Sequence, residues 1–371
     1  MEVLVMKIII NNITVRASSG GVYTVLKNTY EFAVKDLDNE YVFFLGSELF
    51  EETENVKIII RPDLQKNYFK RVLFDYVFGA RQINSLKPDV FISLQNTAQL
   101  GRLSAPQYVY LQQLLPFQDK KKYSFFSQSE RKMAFYQYIV GFFIRNTLSH
   151  ADAKVVVQSE WLKNVLVSEK ISRPEDVIVS KPAVSEKGDV SVRSINRPNV
   201  VRFFYPSTAF DYKNHIEIVR ALELMNKALR DKVEVILTLT EDEFLNLTHL
   251  SRVPSSIILL GRIPKERVND ILSDSVLLFP SYIESYGLPI VEAKQLKRPM
   301  LVADVAVLRE SVGQYEDVTF FDPFDPKTLK TAMEQVVLRD NMTVSVVEGE
   351  ENINNLQGLI TVILEDVRNG E

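Results

Sequence analysis

The feature that most constrains the fold is an alternation, along most of the chain, of short β-branched or aromatic runs with longer segments of helical spacing. Val3–Ile10, Tyr41–Leu45, Val56–Ile60, Asp89–Leu94, Gln107–Leu111 and Lys154–Gln158 read as strands. Between the first two, Val22, Val25, Leu26, Tyr30 and Ala33 recur at helical steps after the pair Gly20-Gly21. Ser159 stands where it would cap a helix beginning at Glu160. Hairpin-length separations are absent. Such a chain specifies a mostly parallel sheet covered by helices on both faces, so the predicted class is α/β.

The alternation lapses from about Ala183 to Asn199, where Ser, Gly, Asn and Pro collect, and this segment reads as a linker. It resumes with strands at Val201–Tyr205, Val233–Leu239, Ile257–Leu260, Val276–Phe279, Met300–Ala303 and Val318–Phe321. Helices are expected from about Asn214 to Leu229 and from Pro264. In the tail, Ile353, Leu356, Ile360, Ile363 and Val367 follow helical spacing. The expected organisation is therefore a domain over 1–190, a second over 191–350, and a final helix over 351–371 returning to the first. A length of 371 residues suits two domains with a core each. Open sheets of this class bind ligands beyond the carboxyl ends of their strands, so two facing domains are expected to enclose a cleft.

Composition narrows the function classes. A hydrophobic fraction of 46% with 25% charged residues is that of a globular chain. A net charge of −4 gives no reason to expect nucleic acid, which would call for a strongly basic face. The absence of cysteine excludes disulfides, thiolate metal sites and a cysteine nucleophile, and fits a reducing compartment. No run approaches the roughly 20 apolar residues of a membrane span. The expected location is cytoplasmic, at most attached to the membrane's inner face.

Chemistry concentrates in Val276–Pro299. Its apolar run stops at Pro280, a polar loop carries Glu284, Gly287 permits a tight turn, and Pro289 suits a first helical position. Glu292 follows on the new helix. A strand, a glycine-containing loop and a helix N-terminus together make an anion site, because several N–H groups converge there. Two carboxylates beside it can accept from hydroxyls, and phosphate with polyol describes a nucleotide-sugar. Lys213-Asn214, after the strand Val201–Tyr205, adds a cation at another strand end, suited to a diphosphate.

Other constellations are weaker. The three histidines, His150, His215 and His249, lack metal-ligand spacing. Of these, His215 alone adjoins the phosphate-binding candidates, where it fits either that site or a helix-start hydrogen bond. Asp36-Leu37-Asp38 imitates a metal motif but falls in a turn between helix and strand. No Walker loop, G-x-G-x-x-G or G-x-S-x-G occurs. Asp119–Arg145 interleaves Lys120, Lys121, Lys122, Arg131, Lys132 and Arg145 with eight aromatic residues. That suits a segment lying on anionic lipid, or a core helix with a charged edge.

FPSYIESYGLPIVEA resembles the Glu-x7-Glu signature of retaining, GT-B-fold glycosyltransferases of family 4. FFYPSTAFDYKNH, LLGRIPKERVNDILSDSVLLFPS and RPMLVADVAVLRESVG followed by FFDP continue the family's order; in the first half, ADAKVVVQSEWLK and the glycine pair are similar to it. The resemblance implies two Rossmann-like domains, the first binding acceptor and the second donor. It implies that Glu284 binds hydroxyls of the donor sugar, Glu292 the ribose, and Lys213 with Asn214 the diphosphate, with Glu284 and Lys213 carrying catalysis. Backbone of Ser285, Tyr286, Gly287 and Leu288 would face the sugar and phosphates, and Gly261, Arg262 and Ile263 the base. Gly20 and Gly21 would let the first domain approach the phosphates and the acceptor.

The implied reaction is metal-independent, uses no cofactor, and moves a sugar from a UDP- or GDP-sugar to a hydroxyl of a glycan or lipid-linked glycan at the inner membrane face. Two positions depart from the pattern: Thr208 stands where many members carry arginine, and Gln112-Gln113 where some carry histidine. Glutamine cannot serve as a general base. The alternative reading is accordingly a catalytically inactive or non-transferase nucleotide-sugar-binding protein of the same fold.

Overall fold

Every strand pairing in the computed structural model, which describes residues 5–17, 21–182, 200–339 and 358–370, is parallel. The chain divides into two units, Met1–Ala183 with Leu356–Glu371, and Val184–Asn355. The predicted linker lies outside the described residues.

In the first unit the strands are β1 (Lys7–Asn12), β2 (Glu40–Leu45), β3 (Val56–Ile60), β4 (Val90–Ser93), β5 (Gln107–Tyr110), β6 (Lys154–Val157) and β7 (Val177–Val179). They form a seven-stranded sheet in the order β3-β2-β1-β4-β5-β6-β7. Successive side chains on a strand point to opposite faces, and here both faces are covered. Ile8 and Ile10 of β1 enter one core with Phe43 and Leu26, while Ile9 enters the other with Phe91 and Phe74. That is why β1 reads as an unbroken apolar run. The final helix, Leu359–Gly370, contributes Ile360, Ile363 and Leu364 to the first of these cores. Its Asp366 accepts from Tyr108 OH and Lys154 Nζ, each at 2.6 Å.

The second unit holds β8 (Val201–Tyr205), β9 (Val233–Leu237), β10 (Ile257–Leu259), β11 (Val276–Phe279), β12 (Met300–Ala303) and β13 (Val318–Phe321). Their order is β10-β9-β8-β11-β12-β13. Strand order thus reverses between β8 and β11, where open sheets of this kind accept ligands.

Several elements differ from expectation. The first strand begins at Lys7, because Met6 N is instead bonded to Asn39 Oδ1. The helix expected to run to Leu229 stops at Leu224, and Asn226 caps a separate turn, Lys227–Arg230, by accepting from Ala228 N. β7 and a helix at Glu241–Thr248 were not anticipated. The latter opens on a capping box in which Thr240 and Glu243 satisfy each other's backbone N–H groups. Among the described residues, no helix is long and apolar enough to cross a membrane.

Asp119–Arg145 forms an irregular loop and then three joined helical pieces, Arg131–Ala134, a π-helical turn at Phe135–Val140, and Gly141–His150. Its inward face is Met133, Ala134, Gln137, Gly141 and Ile144. Six of its eight aromatic side chains point out: Phe125, Phe126, Phe135, Tyr136, Tyr138 and Phe142 are exposed, Phe126 to 96%, while Tyr123 is buried. The core-helix reading therefore fails for these positions.

Candidate functional site

The loops leaving β8 and β11 meet where the strand order reverses. After β8 the chain makes a tight turn, Asp211–Lys213, and Asn214 adopts the left-handed conformation with φ 63° before the helix His215–Leu224. Asn214 is buried, and its Nδ2 donates to the carbonyls of Pro280 (3.2 Å) and Pro323 (2.7 Å), joining the loops after β8, β11 and β13. Ser281 Oγ and Tyr282 N both donate to Tyr212 O at 3.2 Å. Tyr205 OH donates to Lys213 O at 3.0 Å. Burial, and then the Glu284 charge, push the Tyr205 phenol well above its ordinary pKa.

This scaffold presents Lys213 to Glu284: Nζ donates to Oε1 at 2.5 Å, and both side chains are largely shielded. Beyond Glu284, Gly287 takes φ 85° and caps the helix Leu288–Gln295, which starts one residue before the expected Pro289. Added at Gly287, a Cβ would meet Leu308 Cδ2 at 3.1 Å. Ser311 Oγ donates to the Tyr286 carbonyl, fixing the loop from the other side. The first N–H groups of a helix lack intrahelical acceptors, so the segment Ser285–Leu288 sets a positive helix end beside Lys213 and Glu284.

Glu292 lies one turn further along this helix, buried, and is ion-paired with Lys265. Sequence reasoning missed Lys265. Nothing local links it to a carboxylate 27 residues away. Gly261 has φ 64°, and its N–H donates to Leu239 O at 2.9 Å. It borders a pocket of about 460 Å³ lined by Leu239, Thr240, Val253, Ile257, Leu259 and Leu260. Arg262 is exposed and Ile263 half-buried at its edge in the chain.

His215 is buried, with its ring 5.1 Å from that of Tyr205 and its Nε2 2.8 Å from Ser207 Oγ. Burial, and then the Lys213 charge, lower its pKa to about 3, so it is a neutral packing group. Its hydrogen bond goes to Ser207 on the loop after β8, so it is not the helix-start bond expected of it. Thr208 is exposed and brings no charge. Asp36 accepts from Asn39 Nδ2 and Tyr41 OH, a structural turn as expected. His150 is exposed at a helix end, and His249 caps the helix Glu241–Thr248 with φ 56°. Among the described residues, no cluster of three or more His, Cys, Asp or Glu side chains is placed to hold a metal.

In the first unit, Gly20 lies outside the described residues, whereas Gly21 opens the helix Gly21–Lys35 with open space where a Cβ would be. The backbone N–H groups of Gln112 and Gln113 both donate to Asn96 Oδ1, at 2.7 and 2.9 Å. Gln112 Nε2 is buried without a protein partner, as are both amide atoms of Asn11 and of Asn12 and the Oε1 of Gln95. These residues belong to the carboxyl ends of β1, β4 and β5 or follow directly on them.

Residues 193–352 match the family described as Glycosyl transferases group 1. No curated protein sequence matches the chain. Among solved structures, the chain is similar to WaaG, a glycosyltransferase involved in lipopolysaccharide biosynthesis, with TM-score 0.65 and 12% identity over 90% of each chain. It is similar to Anabaena Alr3699/HepE in complex with UDP and glucose, with TM-score 0.61 and 14% identity over 98% of this chain and 99% of that one. Sucrose-phosphate synthase from Thermosynechococcus elongatus gives TM-score 0.62 and 13% identity over 90% of each chain. At such identities the likeness is one of fold, which is GT-B. With a Glycosyl transferases group 1 domain on that fold, the chain is a glycosyltransferase.

Proposed function

We propose that the chain moves a sugar, with retention of anomeric configuration, from a UDP- or GDP-sugar to a hydroxyl of a glycan or lipid-linked glycan. The observation that carries this reading is the shielded Lys213–Glu284 pair beside the helix opened by Gly287. Lys213 and the helix N-terminus stabilise the departing diphosphate, which gains charge as the bond from the sugar's anomeric carbon to the phosphate oxygen breaks. Glu284 accepts from hydroxyls of the donor sugar, Glu292 from those of the ribose, and the pocket beside Gly261 takes the base. The acceptor oxygen bonds to the anomeric carbon on the face the phosphate leaves, and its proton passes to a phosphate oxygen. This route needs no protein base, in keeping with glutamine at positions 112 and 113, and draws its positive charge from the protein rather than a metal.

Acceptor hydroxyls are assigned to the unpartnered amides of Asn11, Asn12, Gln95 and Gln112. The reading places the chain in the cytoplasm, at the inner face of a membrane. Its support is the outward aromatic surface of the first unit, where Phe69, Val77, Phe126, Tyr138 and Phe142 are exposed beside the exposed Lys70, Lys120, Lys122, Arg131 and Lys132.

The test is incubation of purified protein with a panel of UDP- and GDP-sugars, with and without glycan acceptors. Release of one nucleoside diphosphate with a product of retained configuration is expected. Thermal stabilisation by a donor without any release would favour the binding-only alternative. A panel giving neither would overturn the donor site.

A further inference from the structure

We infer that Lys265 is a positioning residue for the nucleotide ribose: it pins one oxygen of Glu292 so that the other meets the ribose hydroxyls. This rests on the donor-site reading above, which gives Glu292 the ribose but gives Lys265 no role.

The two lysine–glutamate pairs of the second unit differ in construction. Lys213 and Glu284 are both shielded, their side chains 16% and 13% exposed. Glu292 is as deeply placed, at 7%, but Lys265 reaches it from outside with 57% of its side chain in solvent. A carboxylate held out of water needs a compensating charge, and here an exposed arm supplies it.

Helix stability does not account for this lysine. Lys265 is the first residue of the helix Lys265–Leu272, after Pro264, which provides no side-chain cap. A cation at that end opposes the helix dipole. The chain nevertheless sets an ammonium there and directs it at Glu292. The location fits a nucleoside. Gly261, on the border of the pocket assigned to the base, leads within one turn of chain to Lys265, and Lys265 leads to Glu292. Base pocket and ribose carboxylate are thereby joined through this side chain.

An ionised carboxylate offers roughly four lone-pair directions over two oxygens. Lys265 occupies Oε1, which fixes the plane of the group and leaves Oε2 to accept from the adjacent 2′- and 3′-hydroxyls. With an apolar side chain at 265, the carboxylate would keep its place but lose its orientation. The effect should then fall on recognition of the diol, and on donor KM more than on kcat.

Calorimetric titration of wild type, Lys265→Met and Lys265→Arg with UDP, GDP and their 2′,3′-dideoxy forms tests this. Wild type should bind the diol form of one of the two about tenfold tighter than its dideoxy form. Lys265→Met should lose most of that preference, Lys265→Arg should keep it, and donor KM in turnover should follow. Lys265→Met leaves the buried Glu292 carboxylate without its compensating charge and should melt below wild type, while Lys265→Arg should not; because the diol preference is a ratio measured within one folded protein, that loss does not enter it. A wild-type diol preference retained in Lys265→Met would make the lysine a tie between two helices and overturn the inference. Wild type that binds neither diphosphate, or binds both forms equally, would instead remove the ribose assignment of Glu292 itself.

Discussion

Lys213 and Glu284 are 71 residues apart in sequence, yet Nζ donates to Oε1 at 2.5 Å. They stand on the loops after β8 and β11, the two strands that flank the reversal of strand order. Each neutralises the other out of solvent, so removing one leaves a shielded charge unpaired, a loss of about 2 kcal/mol for a pair that keeps some solvent contact. Lys213→Ala and Glu284→Ala should each remove nearly all transfer, at least about 10²–10³-fold, while the fold persists. The double variant Lys213→Met/Glu284→Gln should regain much of the melting temperature and none of the turnover. Near-normal turnover in either single variant would sink the site assignment.

Gly287 gives a second test of the same loop. Its φ of 85° is one that L-residues adopt at a cost, and a Cβ would lie 3.1 Å from Leu308 Cδ2 and 3.2 Å from Ile290 Cδ1. Gly287→Ala should destabilise the second unit by about 1–2 kcal/mol. By tilting the helix N-terminus it should also raise donor KM. Melting curves and donor titrations check both, and a variant that melts and binds as wild type would show that the turn is not under this constraint.

What was legible in the sequence follows from how local each signal is. β11, β12 and β13 begin and end at the expected residues because buried parallel strands are continuous apolar runs, here bounded by turns or prolines. Glu284, Gly287 and Glu292 were readable because a strand, a turn and a helix start fall within one short stretch. Lys265 was not, since its partner is set by packing and not by spacing. β7 spans only Val177–Val179, too short for periodicity to register. The helix Glu241–Thr248 carries one local signal, the Thr240–Glu243 capping box. Asp119–Arg145 misleads for a physical reason: its aromatic face is the outer one, so patterning alone cannot separate a core helix from an exposed surface.

Two buried groups give stability a defined pH response. Asp75 is fully buried and accepts from Thr97 Oγ1 at 2.8 Å and Gln99 Nε2 at 2.7 Å, and burial raises its pKa to about 7. The unfolded chain releases that proton near pH 4, so between about pH 4 and 7 the folded chain holds one proton more. Stability from this group is full below about pH 4 and is lost as pH rises through 7, a change on the order of 4 kcal/mol. His215 acts oppositely: lowered to about 3, it loses stability as pH falls below its unfolded value of about 6.5. Asp75→Asn should remove the first effect, because an amide does not take up or release a proton in this range. Relative to wild type the variant should gain stability from pH 4.5 to 8, and on acidification show the His215 loss unopposed. Parallel stability–pH curves for the two proteins would rule this out.

The outward aromatics yield the last prediction. Tyr68 contacts Phe135 and Phe143, with ring centroids 6.1 and 5.9 Å apart, so the helical pieces around residues 68–78 and 135–143 adjoin and their exposed rings form one surface. Aromatic side chains suit the depth of lipid headgroups, and a nearby lysine or arginine adds about 1 kcal/mol against an anionic leaflet. Wild type should co-sediment with phosphatidylglycerol vesicles at about 0.15 M salt and less with phosphatidylcholine vesicles. Phe126→Ser/Phe142→Ser should weaken binding to both lipids. Changing Lys120, Lys122, Arg131 and Lys132 to glutamine should erase the preference for the anionic one. These residues lie in the first unit and outside the donor site, so transfer to a soluble acceptor should be retained in both variants. Vesicle binding unchanged by either set would remove the membrane face from the proposed function and leave the donor site untouched.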